Sequence, residues 1–185
     1  MRRTATFMIA VMLAAGLTGC TPDGGQETPS PEPTVSTPAP TPTPQWTEEE
    51  QAAIDAVQNY LAVWTYISQN LQTADWNAIR DVASDPAAND AGTLWRQWYD
   101  NDWHLVGSPS FEVARVAEGG TDYQGTQYHV YGCYITANSH LSDADGNPLT
   151  KQGPDRGTAN VLVLHMLTPT DRYLVLQDTT EGDPC

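Results

Sequence analysis

Read from Trp46 onward, the chain first repeats its apolar residues at helical spacing and then at every second position. Ile54, Val57, Leu61, Trp64, Ile67 or Ser68, and Leu71 follow at steps of three and four, which puts them on one stripe of a helix of about 24 residues. Just ahead of them, Thr47-Glu48-Glu49-Glu50 has the form of a capping box. The Thr47 hydroxyl is available to the Glu50 N–H, and the acidic side chains lie over the positive helix end. Asp75 is placed to cap a short helix with Trp76, Ile79, Val82 and Ala83 facing inward, and Asp85-Pro86 ends it. A third helix is expected from about Asp90 to Asp100, where Leu94, Trp95, Trp98 and Tyr99 recur at helical steps.

The period then falls to two. His104 to Val106, Phe111 to Ala117, Gln127 to Ala137, Ala159 to Leu167 and Arg172 to Asp178 are rich in β-branched and aromatic residues. Clusters such as Gly119-Gly120, Asp145-Gly146-Asn147-Pro148 and the glycines from Gly153 to Gly157 divide them as turns, and Thr168-Pro169-Thr170-Asp171 suits a hairpin. Helices first and strands after predict an α+β domain, three N-terminal helices packed on a curved antiparallel sheet. Tyr128, Val130, Gly132, Tyr134 and Thr136 share one face of their strand, opposite His129, Tyr131, Cys133 and Ile135, and neither face is polar. In the next strand Leu162, Leu164 and Met166 alternate with Val161, Val163, His165 and Leu167. Such a sheet needs two covers: helices on one face, and a loop, a ligand or a second subunit on the other, so a homodimer through the sheet face is one of the open arrangements.

The residues before Trp46 build no core. Met1 to Gly19 has basic Arg2 and Arg3, an apolar stretch from Phe7 to Leu17, and small residues before Cys20, the three parts of an export signal. About 11 apolar residues are too few to span a bilayer as a helix, which needs about 20. Residues 20–45 are Pro, Thr, Ser, Gly and Glu with the run Thr37-Pro38-Ala39-Pro40-Thr41-Pro42-Thr43-Pro44. Alternating proline favours extended polyproline II at about 3.1 Å per residue, a stalk of up to roughly 70 Å rather than an SH3-type ligand. The expected organisation is therefore a leader over 1–19, a stalk over 20–45 and a folded domain over 46–185.

Charge and composition narrow the function classes. Six Trp and eight Tyr against two Phe mark a globular domain rich in amphipathic aromatics. The formal net charge is −15, and losing Arg2 and Arg3 with the leader takes it to −17. Such a body carries no basic patch for nucleic acid and is repelled by an anionic lipid surface within about 8 Å, so stand-off on a stalk has a physical use. No HExxH, no CxxC and no closely spaced histidine pair occurs, and neither a zinc site nor any other cofactor is expected. Asp143-Ala144-Asp145-Gly146 fails the EF-hand template: with Asp143 and Asp145 at loop positions three and five, positions one and twelve would be Leu141 and Gln152.

Leu17-Thr18-Gly19-Cys20 resembles the lipobox of bacterial lipoproteins. The resemblance implies removal of everything before Cys20, lipidation of Cys20, and display on the extracytoplasmic side of the cell membrane. Two cysteines then remain in an exported domain, which predicts a Cys133–Cys185 disulfide pinning the tail across the middle strand.

The order of elements, a long capped helix carrying Leu61 and Trp64, a short helix around Ile79 and then an antiparallel sheet, resembles the nuclear-transport-factor-2-like (SnoaL-like, cone-shaped) superfamily. With the lipobox, the stalk, and the run Cys133, Asp143-Ala144-Asp145-Gly146, Arg156, Arg172-Tyr173-Leu174-Val175 and Cys185, the whole plan looks like lipid-anchored members from actinobacteria and their phages.

Three functions are implied. The first is a non-enzymatic envelope module that binds another envelope protein or a small apolar ligand, with exclusion of superinfecting phage as one role. The second is an isomerase or cyclase drawing an acid/base pair from Tyr60, Tyr66, Asp55, His129 and His165. The third is an accessory subunit of an envelope complex. Each candidate has a structural reading beside the catalytic one: Tyr60 and Tyr66 as rim or core aromatics, His129 and His165 as hydrogen-bonded histidines within the sheet. A cavity with a converging polar pair favours the enzyme, whereas one plugged by Trp and Leu excludes it.

Overall fold

The computed structural model describes residues 45–122, 124–149, 155–166, 171–180 and 185. The leader, Cys20, residues 21–44 of the stalk, most of the 168–171 hairpin turn, and Gly153 lie outside the described residues.

Helix α1 (Glu48–Gln69) starts where its capping box places it. The Thr47 hydroxyl accepts from the Glu50 N–H at 3.2 Å and the Glu50 carboxylate accepts from the Thr47 N–H at 2.9 Å, satisfying two donors that the first turn leaves open. Its stripe is buried as the spacing requires, with Val57 2% exposed and Ile67 and Ser68 fully enclosed. Asp75 then caps a six-residue 3₁₀ helix, Trp76–Asp81, by accepting from the Asn77 N–H at 2.9 Å. Trp76, Ile79 and Val82 recur every three residues, the repeat of a 3₁₀ helix, in which side chains at i and i+3 eclipse. Helix α2 (Ala87–Asp100) begins three residues before its expected start and turns Ala87, Ala88, Ala91 and Trp95 inward.

Six strands follow: β1 (His104–Gly107), β2 (Ser110–Thr121), β3 (Thr126–Ile135), β4 (Ser139–Ser142), β5 (Arg156–Met166) and β6 (Arg172–Thr180). They form two antiparallel sheets, one of four strands in the order β2-β3-β5-β6 and one of the two short strands β1 and β4.

This corrects the expected architecture. Three N-terminal helices on one curved, cone-like sheet do not form: two α-helices and a 3₁₀ helix accompany two separate sheets. The break lies at Gly107-Ser108-Pro109. Gly107 has φ +79, and a Cβ there would sit 1.9 Å from the Asn138 carbonyl oxygen, while Pro109 offers no N–H to a ladder. β1 therefore leaves the line of β2 and pairs with β4, a strand the two-residue period does not announce.

The core lies between α1, α2 and the inner face of the four-stranded sheet, where Trp95, Val130, Val163 and Val175 are fully enclosed. The Trp95 indole N–H donates to the Ser68 hydroxyl at 2.8 Å, so the largest buried side chain has its one polar atom satisfied. Gly132 lets β2 close on β3, because a Cβ would meet the Glu112 carbonyl oxygen at 2.3 Å and the Phe111 ring at 2.7 Å. Across the outer face, Cys185 is bonded to Cys133 with 6.0 Å between their Cα atoms. No described helix is long and apolar enough to cross a membrane.

Candidate functional site

A cleft of about 280 Å³ opens between α1, α2 and the Tyr134 end of the sheet. Leu61, Trp64, Ala91 and Leu94 make its apolar walls, and Tyr60, Tyr134 and Asp178 bring polar groups to it from α1, β3 and β6. Tyr60 follows from the helical stripe, one step before Leu61, and is only 6% exposed. Tyr134 shares the inner face of β3 with Val130.

Asp178 arrives by a different route. Val163 pairs with Val175, but Leu162 pairs with Gln177 and Val161 with Asp178, so β6 carries one extra residue at Leu176. That bulge reverses the parity of the strand and places Asp178 on the inner face, opposite buried Val161.

Burial raises the proton affinity of all three groups, and the Asp178 charge adds to it at both phenols. Burial pushes the Tyr60 phenol far above the ordinary tyrosine range, with the charges of Asp178 and then Asp90 adding to it. Tyr134 is pushed up the same way, by burial first, then Asp178, then Tyr60. Asp178, exposed as a whole residue, is also raised because its carboxyl is partly desolvated at the cleft. Desolvation disfavours the charged form of each, so at neutral pH both phenols are hydrogen-bond donors held beside a carboxyl that is a weakened acid. Among the described residues none of the three side chains has a hydrogen-bond partner, which leaves their polar atoms available to whatever enters.

Of the residues that the sequence offered for catalysis, only Tyr60 reaches this cleft. Tyr66, on a different side of α1, is 61% exposed. Asp55 accepts from Gln51 Nε2 at 2.9 Å on the helix surface. His129 stands on the outer face of the sheet, its Nδ1 3.3 Å from Asn160 Oδ1 and its ring stacked on Tyr131 with centroids 5.9 Å apart. His165 lies at the far end of β5, with Nε2 2.6 Å from Asp171 Oδ1 and its ring stacked on Tyr173 at 4.0 Å. Burial there pushes the Tyr173 phenol up to about 12, with Tyr128, Glu49, Asp171 and Glu48 adding to it in that order. These four residues therefore do not meet one another.

Tyr134 is legible in the sequence only as a member of one of two apolar faces of its strand, and the structure makes that face the inner one, whereas Asp178 is hidden by the bulge. The Asp143 carboxylate is held below the usual range, first by the Asn147 N–H and then by the Asn147 side chain, so it closes its own turn. Among the described residues no three His, Cys, Asp or Glu side chains gather as a metal site would require.

No protein-family model matches the chain, and no curated protein matches it in sequence. Solved structures similar to it include three from unrelated settings. The intermembrane space region of the chloroplast protein ARC6 aligns at a TM-score of 0.51 and 9% identity, over 76% of this chain and 100% of that one. The putative transfer protein TraH from the Gram-positive conjugative plasmid pIP501 aligns at 0.41 and 12%, over 76% and 96%. Aln2 from a Streptomyces species aligns at 0.40 and 11%, over 70% and 90%. The similarity to the ARC6 region is one of fold, and at this identity it carries nothing about what either protein binds.

Proposed function

We propose that the chain is a lipid-anchored cell-envelope protein, held by Cys20 on the outer face of the membrane and raised on residues 20–45. Its domain acts as a binding module without catalysis. The export signal, the lipobox resemblance and the proline-rich stretch support the anchoring. One observation carries the binding reading: Tyr60, Tyr134 and Asp178 converge, without partners among the described residues, on a cleft with apolar walls. Two phenol donors and a weakened acid in such a setting suit an uncharged ligand of roughly a dozen non-hydrogen atoms, with an apolar body and a carbonyl or hydroxyl acceptor.

Replacing Cys20 by Ala tests the anchor, since the variant should leave the membrane fraction with its domain folded. Retention on membranes refutes it. For the cleft, the full chain is titrated with cyclohexanone and larger cyclic ketones. Saturable binding that Tyr60→Phe and Tyr134→Phe each weaken about five- to tenfold is expected from the loss of one hydrogen bond. Equal affinity in all three proteins refutes the site.

A second reading is favoured by Asp178 alone. A carboxyl with raised proton affinity beside two phenols is the kind of group that moves a proton next to a polarised carbonyl. If the protein exchanges the α-hydrogens of a bound ketone for deuterium in D₂O, and Asp178→Asn abolishes that exchange, the enzyme reading replaces the binding one.

A further inference from the structure

A second groove, of about 340 Å³, runs between the 3₁₀ helix and α2 on a different part of the surface. The geometry points to a binding site there for an acidic saccharide, a sugar ring carrying a carboxylate or phosphate.

From Cys20 onward the chain has six Lys and Arg against 23 Asp and Glu, yet two of the six cations, Arg80 and Arg96, are among the residues lining this groove; Arg80 is ion-paired with Asp85, so Arg96 carries the uncompensated charge. Arg80 is held in place, with Nη1 3.3 Å from Asp85 Oδ1 and Nη2 donating to Asn89 Oδ1 at 2.8 Å. Arg96 has no hydrogen bond or ion pair among the described residues, so its guanidinium fork is open to an anion.

The neutral groups beside those cations can both donate and accept. Asn89, with its Oδ1 taken by Arg80, keeps its Nδ2 hydrogens for a ligand. Asn77, whose Nδ2 donates to Asp75 Oδ1 at 3.1 Å, keeps its Oδ1 as an acceptor. Thr93 donates to the Asn89 carbonyl at 2.9 Å and keeps its lone pairs. Amides and hydroxyls with one side fixed and the other free match vicinal hydroxyls, which donate and accept together. Trp76, half-buried, is fixed by its indole N–H to the Leu71 carbonyl at 3.1 Å and by packing against Trp95 and Tyr99 with centroids 6.2 and 5.8 Å away, and it adds aromatic surface to the groove lining.

Gly92 lies inside α2 and lines the same groove. A glycine inside a helix is unfavourable relative to alanine. Here nothing packed against it requires one, since a Cβ would meet no atom within 4 Å. Its missing side chain leaves open space along the groove, which a ligand would use and a methyl group would take.

The experiment is a titration of the full chain with glucuronate, glucose and inorganic phosphate, followed by ligand-observed NMR and thermal unfolding. Glucuronate should saturate in the millimolar range or below, with glucose and phosphate each about tenfold weaker. Arg96→Ala should bring glucuronate down to the level of glucose. Gly92→Ala should raise Tm by about 2–4 °C through better helix propensity while weakening glucuronate. That pairing separates a lost site from a lost fold.

Absence of saturation by glucuronate overturns the proposal. Phosphate binding as tightly as glucuronate leaves a simple anion site and overturns the saccharide assignment. Unchanged glucuronate affinity in both variants places any binding elsewhere. Ketone binding in the other cleft should not respond to Arg96→Ala, so the two sites fail or stand separately.

Discussion

Replacing Cys185 by Ser removes a cross-link and little else. Cys185 is exposed, whereas Cys133 is buried at 7% exposure and stays in place as a thiol of almost the same volume, so no cavity opens in the sheet. The bond closes a loop with a sequence separation of 52. In the chain-entropy account a loop of that size restricts the unfolded chain by about 4 kcal/mol. For a domain of about 140 residues, each kcal/mol moves Tm by roughly 3–4 °C, so the variant should melt about 12–16 °C below the parent. Thermal unfolding followed by far-UV circular dichroism at matched pH checks this. Reductant should lower the parent by the same amount and leave the variant unmoved. A fall below about 3 °C, or a reductant effect that persists in the variant, would falsify the cross-link as the source of stability.

Ser68→Ala leaves the fully buried Trp95 indole N–H without its acceptor and should cost about 1–3 kcal/mol in urea unfolding. In the double variant with Trp95→Phe, most of the Ser68 penalty should vanish. Gly132→Ala forces a methyl against the Glu112 carbonyl and the Phe111 ring, and should lower stability by about 1–3 kcal/mol. Asp178 is a weaker acid in the folded chain than in the unfolded one, so as pH rises the unfolded chain ionises first and stability falls until Asp178 itself ionises. Asp178→Asn should therefore match the parent near about pH 3 and gain on it toward about pH 7, measured as denaturation midpoints. A constant gap across that range would show that burial of the carboxyl has no effect on stability.

Local physics makes much of the chain legible before folding. The Thr47-Glu50 box fixes where α1 begins, because its two reciprocal hydrogen bonds lie within one turn. The stripe from Ile54 to Leu71 fixes which side of α1 is buried, because helical spacing alone determines it. The three-residue spacing of Trp76, Ile79 and Val82 already contains the 3₁₀ repeat, although a stretch so short reads equally well as an ordinary helix.

Parity and pairing are different. Strand alternation predicts a face only while the ladder has no extra residue. The bulge at Leu176 turns Asp178 into the cleft, and the register shift between Val113 and Arg115 turns Arg115 outward to lie over the Tyr131 ring at 3.6 Å. Gly107 and Pro109 likewise mark a break without saying that β1 would leave for β4, since that partner is chosen across the fold. The candidate site shows the same division. Tyr60 comes from a helix whose period is set by its own hydrogen bonds, and its neighbours Tyr134 and Asp178 are brought to it by strand registers that only the packed sheet decides.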